Sequence, residues 1–506
     1  MSVIDKQQLE QRLAPHNQQH LLRFWDELDD AGRAKLAKQI QSVDLDLIHS
    51  LYQGNVDQPD WAELARRAEP PTAVRLSDRA NANGKTPLGF TPSEARQRGV
   101  AALRAGEIGV LLTAGGQGSR LGFDKPKSMY PIGPISKATL AQIHIEKVRR
   151  AAERYGKPVP LYLMTSPVTH DDTASFLNEN NRFGLAEDDL FVFCQGTMPA
   201  VDAKTGRLLL EAKDSLFLSP DGHGGTVAAL EKTGAIEHMR RRGIKHLFYL
   251  QVDNPLAPVC DAELIGYHLL TNSELTSLAV AKQEPRDKLG NFVMLDGRLN
   301  VIEYSDFPDD VAERREGGDS RPSSDPRPLR FWAGSVAIHV FDVDFLARSL
   351  KLKDRLPFHI AHKKAEYIDD SGQLVEPKEP NALKFERFIF DLLPHAERPI
   401  VIEYAEEESF APLKNAPGAP KDTPEYVHRF MLAQHRRWLQ AAGAEVADGA
   451  DVEISPLAAL DAEDLSQQLA GKPLQIDKTT YLTRENGGRL SSIASGPSAS
   501  PKLSKS

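Results

Sequence analysis

Cysteine is almost missing: 506 residues contain two, Cys194 and Cys260. That excludes a disulfide framework and any zinc site built on thiolate spacing, and makes a reducing cytoplasm the expected compartment. Long apolar runs are missing too. No stretch reaches the roughly 20 residues a membrane helix needs. The first residues, MSVIDKQQLEQRLAPHNQQ, are polar and have no apolar signal-peptide core. Positive charge is not in excess. A net charge of −9 argues against a nucleic-acid partner, so any anionic ligand needs a local basic site. What is present is ordinary globular material, 41% hydrophobic and 26% charged, enough for a large core. No internal repeat is visible.

From Val3 to Tyr52 the apolar residues Leu21, Phe24, Trp25, Leu28, Leu36 and Ile40 recur at near-helical spacing. Asn55 to Lys85, rich in Pro, Asn and Asp, reads as an extended wrap. From about Gly109 short apolar runs alternate with amphipathic ones: IGVLLTAGG, PLYLMTS, DLFVFCQG and HLFYLQVDNPL as strands, ATLAQIHIEKVRRAAERYG, TASFLNENN and TVAALEKTGAIEHMRRRG as helices. Buried strands alternating with helices imply an α/β fold with a doubly wound, mostly parallel sheet. Ligands bind such sheets at the carboxyl ends of the strands. The glycine loop, Gln195 and Asp253 each follow an apolar strand, so one crevice is expected to hold all three. Further on, the spacing predicts a hairpin at LDGRL, an exposed loop over DVAERREGGDSRPSSDPRP, a strand at FWAGSVAIHVF, and helices at ALKFERFIFDLLP and YVHRFMLAQHRRWLQAAG. The tail from residue 485 to 506 is Gly/Ser/Pro-rich and reads as disordered.

The densest local signal is LLTAGGQGSRLGFDKPKSMYPIG, Leu111 to Gly133. It lacks the Gly-Lys-Ser/Thr of a Walker loop. It also meets Leu121 where the dinucleotide fingerprint needs its third glycine. On glycines alone a tight strand-helix turn is the competing reading. Arg120 and Lys127 favour an anion, because glycines admit backbone N–H groups and the two cations neutralise charge. The set Gly115, Gly116, Gly118, Arg120 and Lys127 suits a nucleoside triphosphate.

This loop resembles the signature of the UDP-sugar pyrophosphorylases, most of all the eukaryotic-type UDP-N-acetylhexosamine group, whose loop reads like L-x-G-G-x-G-T-R-L-G followed by Pro-Lys. CQGTMPA, SPDGHGG, VDNPL, VIEYSD, LKFERFIFD, FAPLKNA and VEISPL resemble further family segments in the same order, from about Gly109 to Leu457. The resemblance implies a nucleotide-diphospho-sugar transferase, a Rossmann-like fold, that makes UDP-sugar and pyrophosphate from UTP and a sugar 1-phosphate with Mg²⁺ or Mn²⁺. It implies a helical N-terminal region and wrap over 1–100, a nucleotidyltransferase domain over 101–405 and a small C-terminal domain over 406–484.

Residue roles follow from the same resemblance. Gly115, Gly116 and Gly222 would line the uridine, and Gln195 would pair with the uracil edge, since an amide offers both donor and acceptor. Arg120, Lys127 and Lys414 would hold the phosphates. Asp253 would carry the metal, with Asp391 a weaker metal candidate that reads better as a structural helix-end residue. His223, Glu303, Tyr304, Ser335 and Lys384 would face the sugar phosphate. Lys384 can equally be a helix-surface lysine, and His223 a loop histidine with a fixed tautomer. Two positions depart from the N-acetylhexosamine pattern: His223 stands where those enzymes have Asn and the UDP-glucose type has His, and Ser335 stands where Asn is usual. N-acetylglucosamine 1-phosphate therefore leads, with glucose 1-phosphate or broad specificity behind it. A non-catalytic UDP-sugar sensor is the reading from another class.

Overall fold

Ten strands make one sheet: β1 (Ala73–Val74), β2 (Ile108–Thr113), β3 (Leu161–Thr165), β4 (Leu190–Cys194), β5 (His246–Gln251), β6 (Leu275–Ala281), β7 (Gly290–Leu295), β8 (Arg298–Ile302), β9 (Ala333–Asp342) and β10 (Ile400–Tyr404). They belong to a computed structural model that describes residues 5–54, 59–317, 327–352, 356–484 and 490–494. The order is β1-β10-β6-β9-β5-β2-β3-β4, with β7 and β8 branching from β9. Within that path only β9 runs antiparallel to its neighbours. Every residue of β2 and of β3 is buried, the mark of strands covered on both faces. Since β5, β2, β3 and β4 are parallel, their carboxyl ends share one edge of the sheet. The expected hairpin is present: β7 and β8 pair antiparallel across Asp296 and Gly297, both at positive φ, as a primed two-residue turn requires.

The chain divides into two units. One comprises Met1–Asp60, Gln195–Ala229 and Leu350–Leu392; the other comprises Trp61–Cys194, Leu230–Ser349 and Leu393–Ser506 and holds the sheet. In the first unit the N-terminal helices Lys6–Leu13, Asp30–Ser42 and Leu45–Gln53, with the 3₁₀ turns Gln19–Leu22 and Trp25–Glu27, bury Leu13, Leu21, Trp25, Leu36 and Ile40 against Val201, Leu210, Leu216 and Phe385. The helical N-terminus thus supplies half of that unit's core. In the second unit a helix, Pro424–Ala441, packs with short strands at Val452–Ile454 and Thr480–Arg484.

Four expectations change. The segment expected as a wrap holds a helix, Trp61–Arg67, and the edge strand β1. ALKFERFIFDLLP is not one helix: Ala382–Glu386 is a strand and Ile389–His395 a 3₁₀ helix. Leu383 and Phe385 alternate with Lys384 and Glu386, a period of two that the apolar run behind them hides. The run after the SPDGHGG loop breaks into two helices at Gly234, which sits at positive φ. Val311 and Ala312, expected in an exposed loop, are buried beside Ala65 and Phe331. Residues 318–326 of that loop lie outside the described residues. So do 485–489 and 495–506 of the expected disordered tail, while Leu490–Ala494 pairs with Thr480–Arg484.

Candidate active site

In the sheet-bearing unit, β2 runs out at Thr113 into the glycine loop. The Gly115 carbonyl accepts the Ser166 hydroxyl at 2.7 Å, and the Gly116 carbonyl accepts the Lys127 N–H at 3.0 Å. These bonds fix the loop through its carbonyls. The N–H groups of Gly115 and Gly116 donate to no backbone acceptor among the described residues. Arg120 lies on an exposed 3₁₀ turn, Ser119–Leu121, and no carboxylate pairs with it among the described residues. The ammonium of Lys127 reaches the Asp253 carboxylate at 3.5 Å, with both side chains largely shielded from solvent.

Asp253 leaves β5 in a loop held on several sides. Its carbonyl accepts the Leu413 N–H at 2.8 Å, which sets Lys414 in the next position. Asn254 donates to the Ser409 carbonyl at 2.8 Å and accepts the Ala411 N–H at 3.1 Å. The Lys414 N–H bonds the Asp422 carbonyl at 2.9 Å, and its ammonium lies 5.9 Å from the Phe410 ring centre. Burial raises the Asp422 carboxyl, against the opposing pull of Lys414 and Lys421. The structure therefore brings Lys127, Asp253 and Lys414 together on the glycine-loop side. No cluster of three or more His, Cys, Asp or Glu side chains able to hold a metal alone exists among the described residues. Asp253, one shielded carboxylate met by Lys127 alone among the described ion pairs, fits a cation that shares its coordination with substrate phosphates and water, as Mg²⁺ does.

A second group forms at the β7–β8 hairpin and β9. The pairing of β6 with β9 slips between Ser277 and Ala279, and Ala337 of β9 has φ +55. Such a bulge re-aims the strand. Beyond it Gly334 and Ser335 pair with Asn291 and Gly290. A Cβ built on Gly290 would lie 3.2 Å from Glu303 Oε1 and 3.7 Å from Ser335 Cβ, so these three residues border one small space. Tyr304 is 44% exposed beside Glu303. Sequence reasoning missed the support: Lys282, buried, donates to Asn291 Oδ1 at 2.6 Å, and Asn291 donates to the Ile302 carbonyl just before Glu303. Burial pulls the Lys282 ammonium down to about 8.

In the other unit, Gln195 is buried, and Gly196 accepts the Asp221 N–H at 3.2 Å. Gly222 has φ +81, and a Cβ there would lie 2.3 Å from the Arg387 carbonyl. Glycine at 222 is thus required by the neighbouring chain, whatever ligand it meets. Asp221 was also missed. Its carboxyl fills the places of the side chains that Gly196 and Gly225 lack, 2.5 and 2.2 Å from their built Cβ positions, and burial lifts it to about 6.

His223 has a fixed tautomer. Its Nδ1 accepts the Ile389 N–H at 3.0 Å, and its ring stacks on Phe388 at 5.0 Å and 18°. Burial, aided by His359, lowers it to about 3, so it is neutral and carries its proton on Nε2. His359 stacks on the same Phe388 at 4.1 Å and bonds Asp391 at 3.1 Å; Asp391 also accepts the Phe388 N–H at 3.2 Å. Asp391 is therefore engaged in holding this stack. Lys384 is on a strand, not a helix surface. Its ammonium sits 4.8 Å from the Phe217 ring centre, and burial lowers its pKa.

A mostly parallel α/β sheet with a glycine loop and paired cation and carboxylate at adjacent strand ends is the plan of a nucleotidyltransferase. The chain belongs to the family described as UTP–glucose-1-phosphate uridylyltransferase, whose model matches residues 89–464. It is 34% identical to human UDP-N-acetylhexosamine pyrophosphorylase-like protein 1, over 94% of this chain and 96% of that one. It is 32% identical to the UDP-N-acetylglucosamine pyrophosphorylase of Saccharomyces cerevisiae, over 89% and 94%. The crystal structure of the Trypanosoma brucei uridine diphosphate N-acetylglucosamine pyrophosphorylase aligns with TM-score 0.73 and 26% identity, covering 94% of this chain and 99% of that one. The protein is accordingly a uridylyltransferase that joins UTP and a sugar 1-phosphate. No helix among the described residues is long and apolar enough to cross a membrane.

Proposed function

We propose that the sugar is N-acetylglucosamine 1-phosphate, that a divalent cation, Mg²⁺ or Mn²⁺, takes part, and that the enzyme works in the cytoplasm. The observation that carries the sugar assignment is the naming of the human and yeast relatives, both for N-acetylated sugars, over about nine-tenths of this chain. His223 and Ser335 favour a second reading, glucose 1-phosphate or broad specificity.

The reaction needs little from the protein besides position and charge. The 1-phosphate oxygen attacks the α-phosphorus of UTP in line, and pyrophosphate leaves. The nucleophile is already an anion, so neither a protein nucleophile nor a general base is required. Catalysis is positioning and charge neutralisation. Gly115 and Gly116 offer their N–H groups to the nucleotide, and Gln195 reads the uracil edge with Gly222 beside it. Arg120, Lys127 and Lys414 offset charge on the phosphates. Asp253 would hold the cation together with phosphate oxygens. Bound there, the cation neutralises the triphosphate and polarises it. Glu303, Tyr304 and Ser335 are the sugar-side candidates of the sheet-bearing unit, and His223 and Lys384 those of the other unit. The neutral His223 can donate from Nε2 to a hydroxyl or phosphate oxygen.

Pyrophosphate release with UTP and Mg²⁺, offered N-acetylglucosamine 1-phosphate and glucose 1-phosphate in parallel, tests the assignment. A higher kcat/KM for the N-acetyl sugar is expected. Preference for glucose would mean that His223 and Ser335 decide the sugar. No turnover with either, in folded protein that still binds UTP, would favour the sensor reading.

A further inference from the structure

The helix that follows the glycine loop, Leu140–Tyr155, sends two side chains into the loop that carries Asp253. His144 Nε2 donates to the Val252 carbonyl at 3.0 Å. Lys147, one turn on, donates to the Pro255 carbonyl at 2.6 Å and the Ala257 carbonyl at 2.8 Å. These three bonds bracket Asp253 on both sides in sequence. No carboxylate pairs with Lys147 among the described residues. Burial without a counter-ion pulls the Lys147 ammonium down to about 7, because two main-chain carbonyls are a poor substitute for a carboxylate. The same fastening could be made by a neutral donor, so a lysine here calls for a reason beyond stability. Its surroundings supply one: the helix begins 13 residues after Lys127, whose ammonium meets the Asp253 carboxylate at 3.5 Å.

We propose that Lys147, with His144, is a positioning residue for uridylyl transfer: it fixes the 252–257 loop so that Asp253 stays in register with Lys127, and Leu413 with Lys414. The link from loop to lysine is direct, since the Asp253 carbonyl itself holds the Leu413 N–H. This inference rests on the reading of Asp253 as a phosphate-side residue.

The test is a double-mutant cycle on the full chain, with pyrophosphate release as the rate and thermal melting as the check on folding. Lys147→Met should lower kcat about tenfold to a hundredfold, since misplacement of about 1 Å near the chemistry costs that much. The KM for the sugar 1-phosphate should stay within about twofold, as expected when ground-state binding is untouched. Lys147→Arg, which keeps charge and donors, should recover most of the rate. In an Asp253→Asn background Lys147→Met should add little, because residues acting through one another are not additive. If Lys147→Met does not fold, Lys147→Gln and His144→Leu carry the same cycle. A folded Lys147→Met with wild-type kcat, beside a crippled Asp253→Asn, overturns the positioning role alone. An equal loss in both backgrounds also overturns it. A wild-type rate for Asp253→Asn overturns the reading of Asp253 on which the inference rests.

Discussion

On the sheet-bearing unit, charge collects at strand ends: Lys127 and Asp253 stand 3.5 Å apart, and Lys414 follows the residue bonded to the Asp253 carbonyl. In the other unit the loop over Asp221 to Gly225 is held by rings and glycines, with His223 neutral on Phe388 and His359 behind the same ring. The first region is made to neutralise a changing charge, the second to present a fixed, neutral ring edge. Transition-state stabilisation needs the former, because only interactions that strengthen as charge develops raise kcat. Discrimination between sugars needs the latter, where a donor or acceptor left unpaired by the wrong substrate is costly.

If this contrast is real, the largest loss belongs to the charged region. Lys127→Met should lower kcat by about 10²–10³, the scale seen when one charge-stabilising donor is removed from an active site. Protein that still binds UTP and melts normally makes the comparison clean. A loss confined to KM would mean that Lys127 only binds.

The loop with His223 should answer differently. His223→Asn restores the residue usual in the N-acetylhexosamine group. It should change the ratio of kcat/KM for N-acetylglucosamine 1-phosphate over glucose 1-phosphate by about tenfold, within the range a single pocket contact commands. Rates for each sugar measured in parallel decide this. Equal effects on both would make His223 a framework residue.

Protonation separates the regions from the rest of the fold less sharply. Burial holds His144 and His435 near 3 in one unit and His223 near 3 in the other. Each is neutral when folded and takes up a proton near 6.5 when unfolded. Between about 3 and 6.5 the unfolded chain therefore binds more protons, so stability rises with pH through that window and is lost as pH falls below 6.5. These rings alone should lower Tm by roughly 5–10 °C between pH 7 and pH 5, a drop that Asp221, lifted to about 6, partly offsets because it takes up its proton first in the folded state. A flat profile would show that these rings are not buried neutral.

Much of the charged region was legible in the sequence, because its parts sit where strand ends must put them. The glycine loop, Asp253 and the Lys414 segment are short motifs next to apolar runs. The supports were not legible. Lys147 and His144 look like polar positions of an amphipathic helix, and their contacts lie more than 100 residues away. Asp221 reads as a turn residue until Gly196 and Gly225 are seen to make room for its carboxyl. In the ring-held region even secondary structure differs from the expectation: five residues of strand around Lys384 are followed after two residues by a 3₁₀ helix, and the periodic signal of so short a strand is drowned by its neighbour.

Lys384 is also where the comparison can be sharpened most finely. It is a cation in the unit of rings, half-buried over Phe217, and burial already weakens its charge. Lys414 is a cation in the unit of charges, one residue from a bond to Asp253. If the contrast holds, the two should fail in different parameters. Lys414→Met should act on kcat, by about tenfold or more, because its charge is used as the α-phosphorus reacts. Lys384→Met should act on the KM for the sugar 1-phosphate, by about threefold, with kcat held, since one partly solvated ion pair with a phosphate contributes about 0.2–1 kcal/mol. Steady-state kinetics on both variants separates them. A kcat loss for Lys384→Met equal to that of Lys414→Met would place a working charge among the rings, and the division of labour between the two regions would be gone.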